Sequence, residues 1–382
     1  MKAAPSEAGG IGVQERIEEL IRGPQYAMRQ AEKDLLLAAL LAEVCRDMAE
    51  RCPPYGRFLE TWGSAPAAWQ SPADVPPLPV AIFKRLLLSA VPPENVVREL
   101  HSSGTTGQQP SRIVLDKTTA FRQGRALVAV LKEHIGPGRR PLLVLDAAES
   151  TAAGGSLSAS GAAIRGLAPF ASPTVFGMQA GEGGAEPDWS TIEQFFARHG
   201  AGPLLVFGFT YVVWSRFLAA AEGRACRFRA PGTTLLHSGG WKKLAEQAVT
   251  KEALTARAAA VLGCPATQVL DMYGMVEQVG TVFVDCEAGH KHAPAFADVI
   301  LRRADTLQPV GPGERGIIEV LSLLPSSYPG QAILTEDEGL LVGVDDCPCG
   351  RKGKFFRFGR RIERAEPRGC GDVRALVAEA AR

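Results

Sequence analysis

The chain has 382 residues, of which 46% are hydrophobic and 22% charged, as is typical of globular proteins that bury a large core. A formal net charge of +1 gives no reason to expect a nucleic-acid partner. No signal peptide is evident, and the longest apolar run, Leu35 to Cys45, is too short to span a bilayer. We therefore expect a cytoplasmic protein without membrane insertion, whose eight cysteines are reduced thiols.

The N-terminal part of the chain is predicted to be helical. Apolar side chains recur at helical spacing within residues 25–52, which indicates a helix with one face in the core. Residues 13–22 predict a shorter helix before it. We therefore expect residues 1–52 to form an N-terminal helical segment, which a proline-rich passage from Pro53 to Pro79 follows.

Residues 53–278 are predicted to form an α/β body. Short continuous apolar runs, typical of buried strands, alternate with segments of helical periodicity. The predicted strands are 141–146, 204–209, 234–237 and 268–270, and the predicted helices are 117–135, 190–199, 211–222 and 242–262. This alternation favours a largely parallel sheet flanked by helices. Residues 150–185, which are rich in glycine, alanine and serine, are predicted to be loops with a short helix.

The pattern changes after residue 278. Short β segments are predicted at 279–285, 297–302, 316–321 and 332–342. They predict a β-rich subdomain over residues 279–358, packed on the α/β body. Residues 359–382 are predicted to form a hinge-like C-terminal tail.

A loop rich in glycine and hydroxyl groups precedes the apolar stretch Ile113–Leu115. It consists of Ser102, Ser103, Gly104, Thr105, Thr106 and Gly107. Glycines let a backbone approach a ligand closely, successive N–H groups form an anion-binding nest, and hydroxyls donate to phosphate oxygens. The loop is not a Walker A loop, because no Gly-Lys-Ser/Thr closes it. The alternative is a solvated turn before a strand.

Two further motifs lie at predicted strand ends, where ligands bind in open α/β sheets. Gly239 and Gly240 follow one strand, and Tyr273 and Glu277 follow the next. A tyrosine ring can stack on a base, and a carboxylate suits Mg²⁺, which prefers oxygen ligands. Taken separately, each motif is equally compatible with an ordinary strand-to-helix turn.

In this order, the loop, the Gly-Gly pair and Tyr-Gly-x-x-Glu resemble the adenylate-forming superfamily of acyl-CoA ligases, luciferases and peptide-synthetase adenylation domains. Thr335-Glu336-Asp337 and Gly359-Arg360-Arg361 are similar to its next two elements, although the usual Thr-Gly-Asp has become Thr-Glu-Asp. The resemblance implies a large domain of parallel sheets flanked by helices. It also implies ATP and Mg²⁺ as cofactors, with the phosphates at the loop, adenine beside Gly239, Gly240 and Tyr273, Mg²⁺ on Glu277 and the ribose on Asp337.

The chain resembles one branch of this superfamily more closely, the acyl-protein synthetase family of bacterial bioluminescence. The similar stretches span residues 80–375 and are Leu100–Thr119, Val206–Val212, Leu236–Leu244, Cys347–Gly353 and Ala365–Asp372. This resemblance implies a ligase that uses ATP to convert a carboxylic acid, a fatty acid in this family, into an acyl-adenylate. The acyl group then passes to a cysteine of the enzyme as a thioester. An acyl reductase would be the natural partner.

Cys370 is the candidate acyl acceptor. A glycine flanks it on each side, and Arg364 and Arg368 are close enough in sequence to stabilise its thiolate, which is the nucleophilic form of a cysteine. The alternative is an incidental cysteine near the end of the sequence.

The lysine that the superfamily uses in adenylation has no counterpart in this sequence. It lies in a further domain beyond the hinge, whereas this sequence stops at Arg382. Lys243 is the candidate to meet the developing negative charge, with Lys242 and Arg112 as alternatives.

Two other functions stay open at this point. The chain resembles acyl- or aryl-CoA ligases as well, or an adenylating enzyme that passes the acid to an acyl-carrier protein or an amine. The missing domain disfavours CoA, because it normally completes the CoA site. A non-catalytic scaffold that binds a nucleotide or zinc is the third hypothesis.

Cysteines and histidines of the predicted β-rich subdomain form a candidate metal site. The proposed ligands are Cys286, His292, Cys347 and Cys349, with His290 as the substitute for His292. Three thiolates and one imidazole suit tetrahedral Zn²⁺, and a similar arrangement occurs in some phenylacetate-ligase-like relatives. Because Cys-x-Cys differs from the usual Cys-x-x-Cys, buried thiols beside an exposed histidine are the alternative to a structural zinc site.

The candidate acid pocket is Gly208–Trp214, which follows a predicted strand and mixes apolar bulk with hydroxyls. Such a lining suits a fatty or aryl acid. The alternative, for Val212 and Val213, is a helix start packed in the core.

Overall fold

The computed structural model describes residues 12–102, 110–148, 159–181, 184–240 and 249–362. Its α-helices are α1 (Val13–Arg22), α2 (Gln30–Arg51), α3 (Pro53–Trp62), α4 (Lys117–Ile135), α5 (Ala159–Leu167), α6 (Trp189–His199), α7 (Thr210–Val212), α8 (Ala219–Gly223) and α9 (Lys251–Leu262). Its strands are β1 (Leu78–Pro79), β2 (Arg98–His101), β3 (Arg112–Leu115), β4 (Arg140–Ala147), β5 (Ala171–Gly181), β6 (Gly184–Pro187), β7 (Leu204–Phe209), β8 (Thr233–Ser238), β9 (Val269–Gly274), β10 (Val282–Val284), β11 (Lys291–His292), β12 (Ala297–Arg302), β13 (Arg315–Ser322), β14 (Ala332–Val344) and β15 (Lys354–Arg361).

A seven-stranded sheet forms the α/β part of the molecule. Its strand order is β10-β9-β8-β7-β4-β5-β6; the five central strands are parallel, and the two edge strands are antiparallel to their neighbours. Alternate residues of β7 enter two cores, Leu205 and Phe207 on one face and Leu204 and Val206 on the other. Helices therefore cover both faces, which is why the strand is a continuous apolar run. The predicted α/β fold is confirmed.

One prediction for this part of the chain is wrong. Residues 171–181 and 184–187 are the strands β5 and β6, where loops with a short helix were expected; the short helix is α5. Pro173 and Gly177 interrupt the apolar pattern of β5, and the side chains of residues 172–174 are exposed. The strand forms because it completes the ladder of β4, a long-range pairing that overrides weak local propensity.

A six-stranded sheet forms the second part. Its order is β11-β15-β14-β13-β12, and β1 pairs with β14. The pairs along the main path are antiparallel, whereas β1 is parallel to β14, with Leu78 opposite Ile333 and Pro79 opposite Leu334. A separate β-rich sheet was predicted and is present.

The N-terminal helices pack on the rest of the molecule through α2. Leu37, Leu40 and Leu41 are buried in the same core as Phe296 and Tyr328 of the second part, which confirms the core face predicted from the helical spacing. No helix among the residues that the structure describes is long and apolar enough to cross a membrane.

Candidate active site

Three parallel strands of the seven-stranded sheet, β7, β8 and β9, end side by side. The turn after β8 is built on Gly239, whose φ of +83° favours glycine. A Cβ added there would lie 3.0 Å from the ring of Phe209, whereas one at Gly240 would meet nothing within 4 Å. The Gly-Gly pair therefore keeps the backbone open beside this strand end, where a flat ligand could approach it.

His237 connects the ends of these strands. Its Nδ1 lies 3.0 Å from Oγ1 of Thr210 and 3.7 Å from Oδ1 of Asp271. Burial lowers the pKa of His237, although the nearby Asp271 opposes that shift. A neutral imidazole therefore sits between β7 and β9 at the carboxyl edge of the sheet.

The predicted acid pocket begins at the same edge. Thr210 starts α7 directly after β7, and residues 213–218 continue it as a π-helix, a distortion that frequently accompanies functional sites. Val212 and Val213 are buried in the core on that face of the sheet. Core packing therefore accounts for these two valines, while the pocket itself stays a prediction.

Tyr273 and Asp337 join the two sheets. The Tyr273 hydroxyl, on β9, donates a hydrogen bond of 2.9 Å to Oδ2 of Asp337, on β14. The Tyr273 ring lies 5.5 Å from the ring of Phe358, centroid to centroid. Burial raises the pKa of Asp337, and the hydrogen bond from Tyr273 opposes this. The two predicted nucleotide-binding side chains are thus in direct contact.

Glu277 is buried, at 6% exposure, in a short 3₁₀ turn after β9. Burial raises the pKa of its carboxyl, while the Ser111 hydroxyl and the charges of Lys84 and Arg361 favour the ionised form. Its backbone carbonyl accepts a 2.8 Å hydrogen bond from Tyr328. An acidic group held in this way, close to positive charge, is suited to a divalent cation with phosphate ligands.

The neck of the predicted phosphate loop is a two-stranded ribbon. β2 pairs with β3, and Ser102 closes the ribbon, since its Oγ accepts a 2.8 Å hydrogen bond from the Ser111 amide. Ser103, Gly104, Thr105, Thr106 and Gly107 lie outside the described residues. The Ser111 hydroxyl acts on Glu277, so the ribbon places Ser102, the first residue of the predicted loop, near that carboxylate.

Two charged residues not singled out from the sequence lie at this site. Glu336 accepts a 3.0 Å hydrogen bond from Arg361, and its Oε2 is 4.0 Å from Nζ of Lys84. Lys84 belongs to no motif; only the parallel pairing of β1 with β14 brings it here. Arg112, by contrast, is paired with Glu99 at 2.7 Å, and Cys370, Lys242 and Lys243 lie outside the described residues.

The four predicted metal ligands converge in the second part. The ligand atoms of Cys286, His292, Cys347 and Cys349 all lie within 4.8 Å of one another. Sγ of Cys349 is 3.3 Å from Sγ of Cys347 and 3.4 Å from Nε2 of His292. Three free thiols and one imidazole fit tetrahedral Zn²⁺. Burial lowers the pKa of His292 to about 4, so that its imidazole is in the neutral form that binds metals.

His290 is held differently from His292. Its Nε2 is 3.0 Å from the Arg357 guanidinium, which can only donate. Its Nδ1 therefore carries the proton and faces Sγ of Cys347 at 3.5 Å. This is the position of a hydrogen-bond donor to a ligating thiolate.

A hairpin carries Cys286 and His292 and docks on β9. Asp285 and Lys291 form the bridge at its neck. Nζ of Lys291 donates to Asp285 at 2.9 Å and to the Asp271 carboxylate at 2.8 Å. The candidate metal cluster is thus fastened by a buried ion pair to the strand that carries Tyr273.

The fold is similar to that of the adenylate-forming ligases. The fold is similar to that of 2-hydroxyisobutyryl-CoA ligase, solved in an open conformation in complex with 2-HIB-AMP and CoA: 19% sequence identity, 88% of this chain and 76% of that chain covered, TM-score 0.65. The same ligase with both ligands in its thioesterification state gives 20% identity, coverage of 88% and 69%, and a TM-score of 0.65.

The model of one family matches nearly the whole chain. This is the family of acyl-protein synthetases, LuxE, and the match covers residues 11–377. The chain belongs to this family, and it is an ATP-dependent ligase that forms an acyl-adenylate. No curated protein sequence matches it at a significant level.

Proposed function

We propose that the chain activates a fatty acid and transfers the acyl group to its own Cys370. The single observation that carries the nucleotide part is the hydrogen bond between Tyr273 and Asp337, beside the buried Glu277. In this proposal Asp337 holds the ribose hydroxyls, and Tyr273 with Gly239 and Gly240 borders the adenine. Ser102 and the loop that follows, through Gly107, hold the phosphates.

Glu277 would hold Mg²⁺, which neutralises phosphate charge when bound. Burial raises the pKa of Glu277, and the Ser111 hydroxyl with the charges of Lys84 and Arg361 opposes this shift only in part; a bound cation would favour the ionised carboxylate further. In the second step the Cys370 thiolate attacks the acyl carbonyl, the C–S bond forms, and AMP leaves with the electron pair of the broken C–O bond. An acyl reductase or an acyl-carrier protein would take the thioester onward.

We also propose a structural Zn²⁺ at Cys286, His292, Cys347 and Cys349. The convergence of four soft or borderline donors within 4.8 Å supports it. Such an ion would close the hairpin of Asp285 to Lys291 and hold it against β9.

ATP–pyrophosphate exchange, measured with panels of straight-chain fatty acids and aryl acids, tests the first step. Radiolabelled acid tests the second step in the same reactions. We expect exchange with fatty acids and a hydroxylamine-labile label on the protein. Cys370→Ala should keep the exchange and lose the label, whereas Cys226→Ala, a control at a free and partly exposed thiol, should keep both.

Two outcomes would contradict the proposal. Exchange without a label on the wild-type protein would indicate an external acceptor, such as CoA, a carrier protein or an amine. A label that survives in Cys370→Ala would place the acyl group on another residue.

A further inference from the structure

Lys84 is fixed at the edge of the nucleotide site by its neighbours in sequence. It ends the 3₁₀ helix Val80–Lys84, which follows β1 directly. Ile82 and Phe83 are buried at 5% and 1% exposure, and the ring of Phe83 packs edge-on against Tyr328 at 6.1 Å. Tyr328 in turn donates to the backbone carbonyl of Glu277. The turn that carries Lys84 is therefore anchored to the turn that carries Glu277.

The pairing of β1 with β14 places the Lys84 ammonium near two carboxylates of the site. Because these strands are parallel, the chain leaves β1 on the side where β14 reaches Glu336 and Asp337. Nζ of Lys84 is 4.0 Å from Oε2 of Glu336. The same charge also acts on Glu277. The cation thus lies beside Glu336, the chain neighbour of the proposed ribose carboxylate Asp337, and close enough to act on Glu277, the proposed Mg²⁺ carboxylate.

The covalent structure of ATP determines which of its groups would lie beside the Lys84 ammonium. The α-phosphate joins the ribose to the β- and γ-phosphates, whose charge a Mg²⁺ ion held by Glu277 would neutralise. With the ribose on Asp337 and the metal on Glu277, the α-phosphate must cross the gap between these two residues. We propose that the Lys84 ammonium contacts the α-phosphate of ATP and stabilises the negative charge that develops there during adenylation. This inference rests on the proposed function, and it assigns Lys84 as the cation that acts in the first step, the adenylation of the acid.

The step itself needs no proton from Lys84. A carboxylate oxygen of the acid attacks the α-phosphorus and forms the new P–O bond. The bond from the α-phosphorus to the bridging oxygen breaks, and pyrophosphate leaves with its electron pair. A fixed ammonium beside the equatorial oxygens stabilises this transition state without reorganisation.

Among the described residues, Arg112 was the cation expected from the sequence. It is half exposed, at 51%, and already paired with Glu99, on the outer side of the β2–β3 ribbon. Arg361 is the other cation near Glu277, and it is hydrogen-bonded to Glu336. Glu336, at the position where the superfamily has glycine, is therefore shared by two cations and holds Lys84 in place.

Lys84→Met tests the proposal, since it removes the charge and keeps the length of the side chain. We expect the maximal rate of ATP–pyrophosphate exchange to fall about 10²-fold or more, with a much smaller change in KM for ATP and in the Kd for ATP measured by calorimetric titration. Labelling of the protein by added, preformed acyl-adenylate should be unchanged, because that step does not involve the α-phosphate bond to pyrophosphate. Arg85→Met, at the exposed neighbour of the same charge, should behave as the wild type does.

Glu336→Gln distinguishes catalysis from structure. It removes the ion-pair partner of Lys84 but keeps the cation, so the exchange rate should fall far less than in Lys84→Met. Equal losses in the two variants would show that the ion pair matters and not the contact with phosphate. Exchange at the wild-type rate in Lys84→Met would overturn the assignment of Lys84 alone, whereas no exchange by the wild type with any acid would overturn the proposed function together with it.

Discussion

The Tyr273 hydroxyl donates to Asp337 across the boundary between the two sheets, over 2.9 Å. Burial raises the pKa of Asp337, and the hydrogen bond from Tyr273 opposes this rise by favouring the ionised form. We expect both side chains to contact the nucleoside of ATP, and the hydroxyl of Tyr273 orients the carboxylate of Asp337.

Tyr273→Phe should therefore weaken nucleotide binding through Asp337. We expect KM for ATP to rise about tenfold, the equivalent of one hydrogen bond to a charged group, with a smaller effect on kcat. Loss of the donor raises the pKa of Asp337 further, so that the acidic limb of kcat/KM moves to higher pH. Tyr26→Phe, a control at a buried tyrosine that is hydrogen-bonded to His134, should change neither quantity. An unshifted acidic limb in Tyr273→Phe would contradict the orienting role.

Glu277→Gln should stabilise the protein and inactivate it. The raised pKa of Glu277 means that folding disfavours its ionised form, a penalty present at neutral pH and relieved as the pH falls through the raised pKa. The neutral amide avoids the penalty, which gives a gain of about 0.5–2 kcal/mol in the free energy of unfolding at pH 7. That gain should shrink in acid, while ATP–pyrophosphate exchange falls about 10²-fold.

Urea unfolding at several pH values and the exchange assay measure the two effects of Glu277→Gln. Glu60→Gln, at an exposed position of α3, is the matched control and should stay within about 0.5 kcal/mol of the wild type. Wild-type activity in Glu277→Gln would rule this carboxylate out as the Mg²⁺ ligand.

The Cys/His cluster predicts about one bound Zn²⁺ per chain. His292→Ala and Cys347→Ser should lose the metal and melt at lower temperature, and a chelator should destabilise the wild type in the same way. His290→Ala is the matched control, because its imidazole faces Cys347 only as a hydrogen-bond donor; it should keep the metal, with weaker affinity. Metal analysis by mass spectrometry decides the matter: protein purified with zinc in the medium and still free of it would refute the site.

Lys291→Met should destabilise the protein. It would remove the cation that Asp285 and Asp271 share, but Asp285 keeps Lys251 at 2.6 Å, so the cost should stay below the roughly 3–5 kcal/mol of an unpaired buried charge. Burial alone would raise the pKa of Asp285, but Lys291 and Lys251 outweigh this effect and lower the pKa to about 2. The ion pair therefore stabilises the folded protein at pH values above the ordinary pKa of an aspartate. This stabilisation is lost as the pH falls towards 2.

Unfolding of Lys291→Met should be less dependent on pH in that acidic range than unfolding of the wild type. Asp285→Asn combined with Lys291→Met should recover part of the loss, since it removes one of the two carboxylates that Lys291 serves. Additive losses in the double variant would contradict the coupling of these two residues.

Patterns within one segment predicted much of this molecule. The apolar runs of β7 and β8 indicated buried parallel strands. The Gly-Gly and Tyr-Gly-x-x-Glu motifs lie at the ends of β8 and β9, at the edge of the sheet where we propose the site. The donor types of the Cys/His cluster predicted a group of residues that the fold does bring together. In each case the prediction came from the residue types within short stretches of the sequence.

What the sequence did not predict depends on pairing between distant segments. β5 has little strand character of its own and is held by β4. Lys84 stands in a short turn without a motif, and nothing in its vicinity links it to Asp337. The difference between His290 and His292 likewise depends on Arg357, which a strand of the second sheet supplies.

The pairing of Leu78 with Ile333 also determines when, during synthesis, the turn after β1 can dock. β1 leaves the ribosome long before its partner, β14, so the turn after β1 lacks this docking surface until β14 has been made. An unfinished chain has neither the ribose carboxylate nor the cation beside it, and nucleotide can stabilise only molecules whose synthesis has passed β14. On the proposed function, we therefore expect ATP to protect only copies that contain β14, so that chains terminated before it gain no such stabilisation.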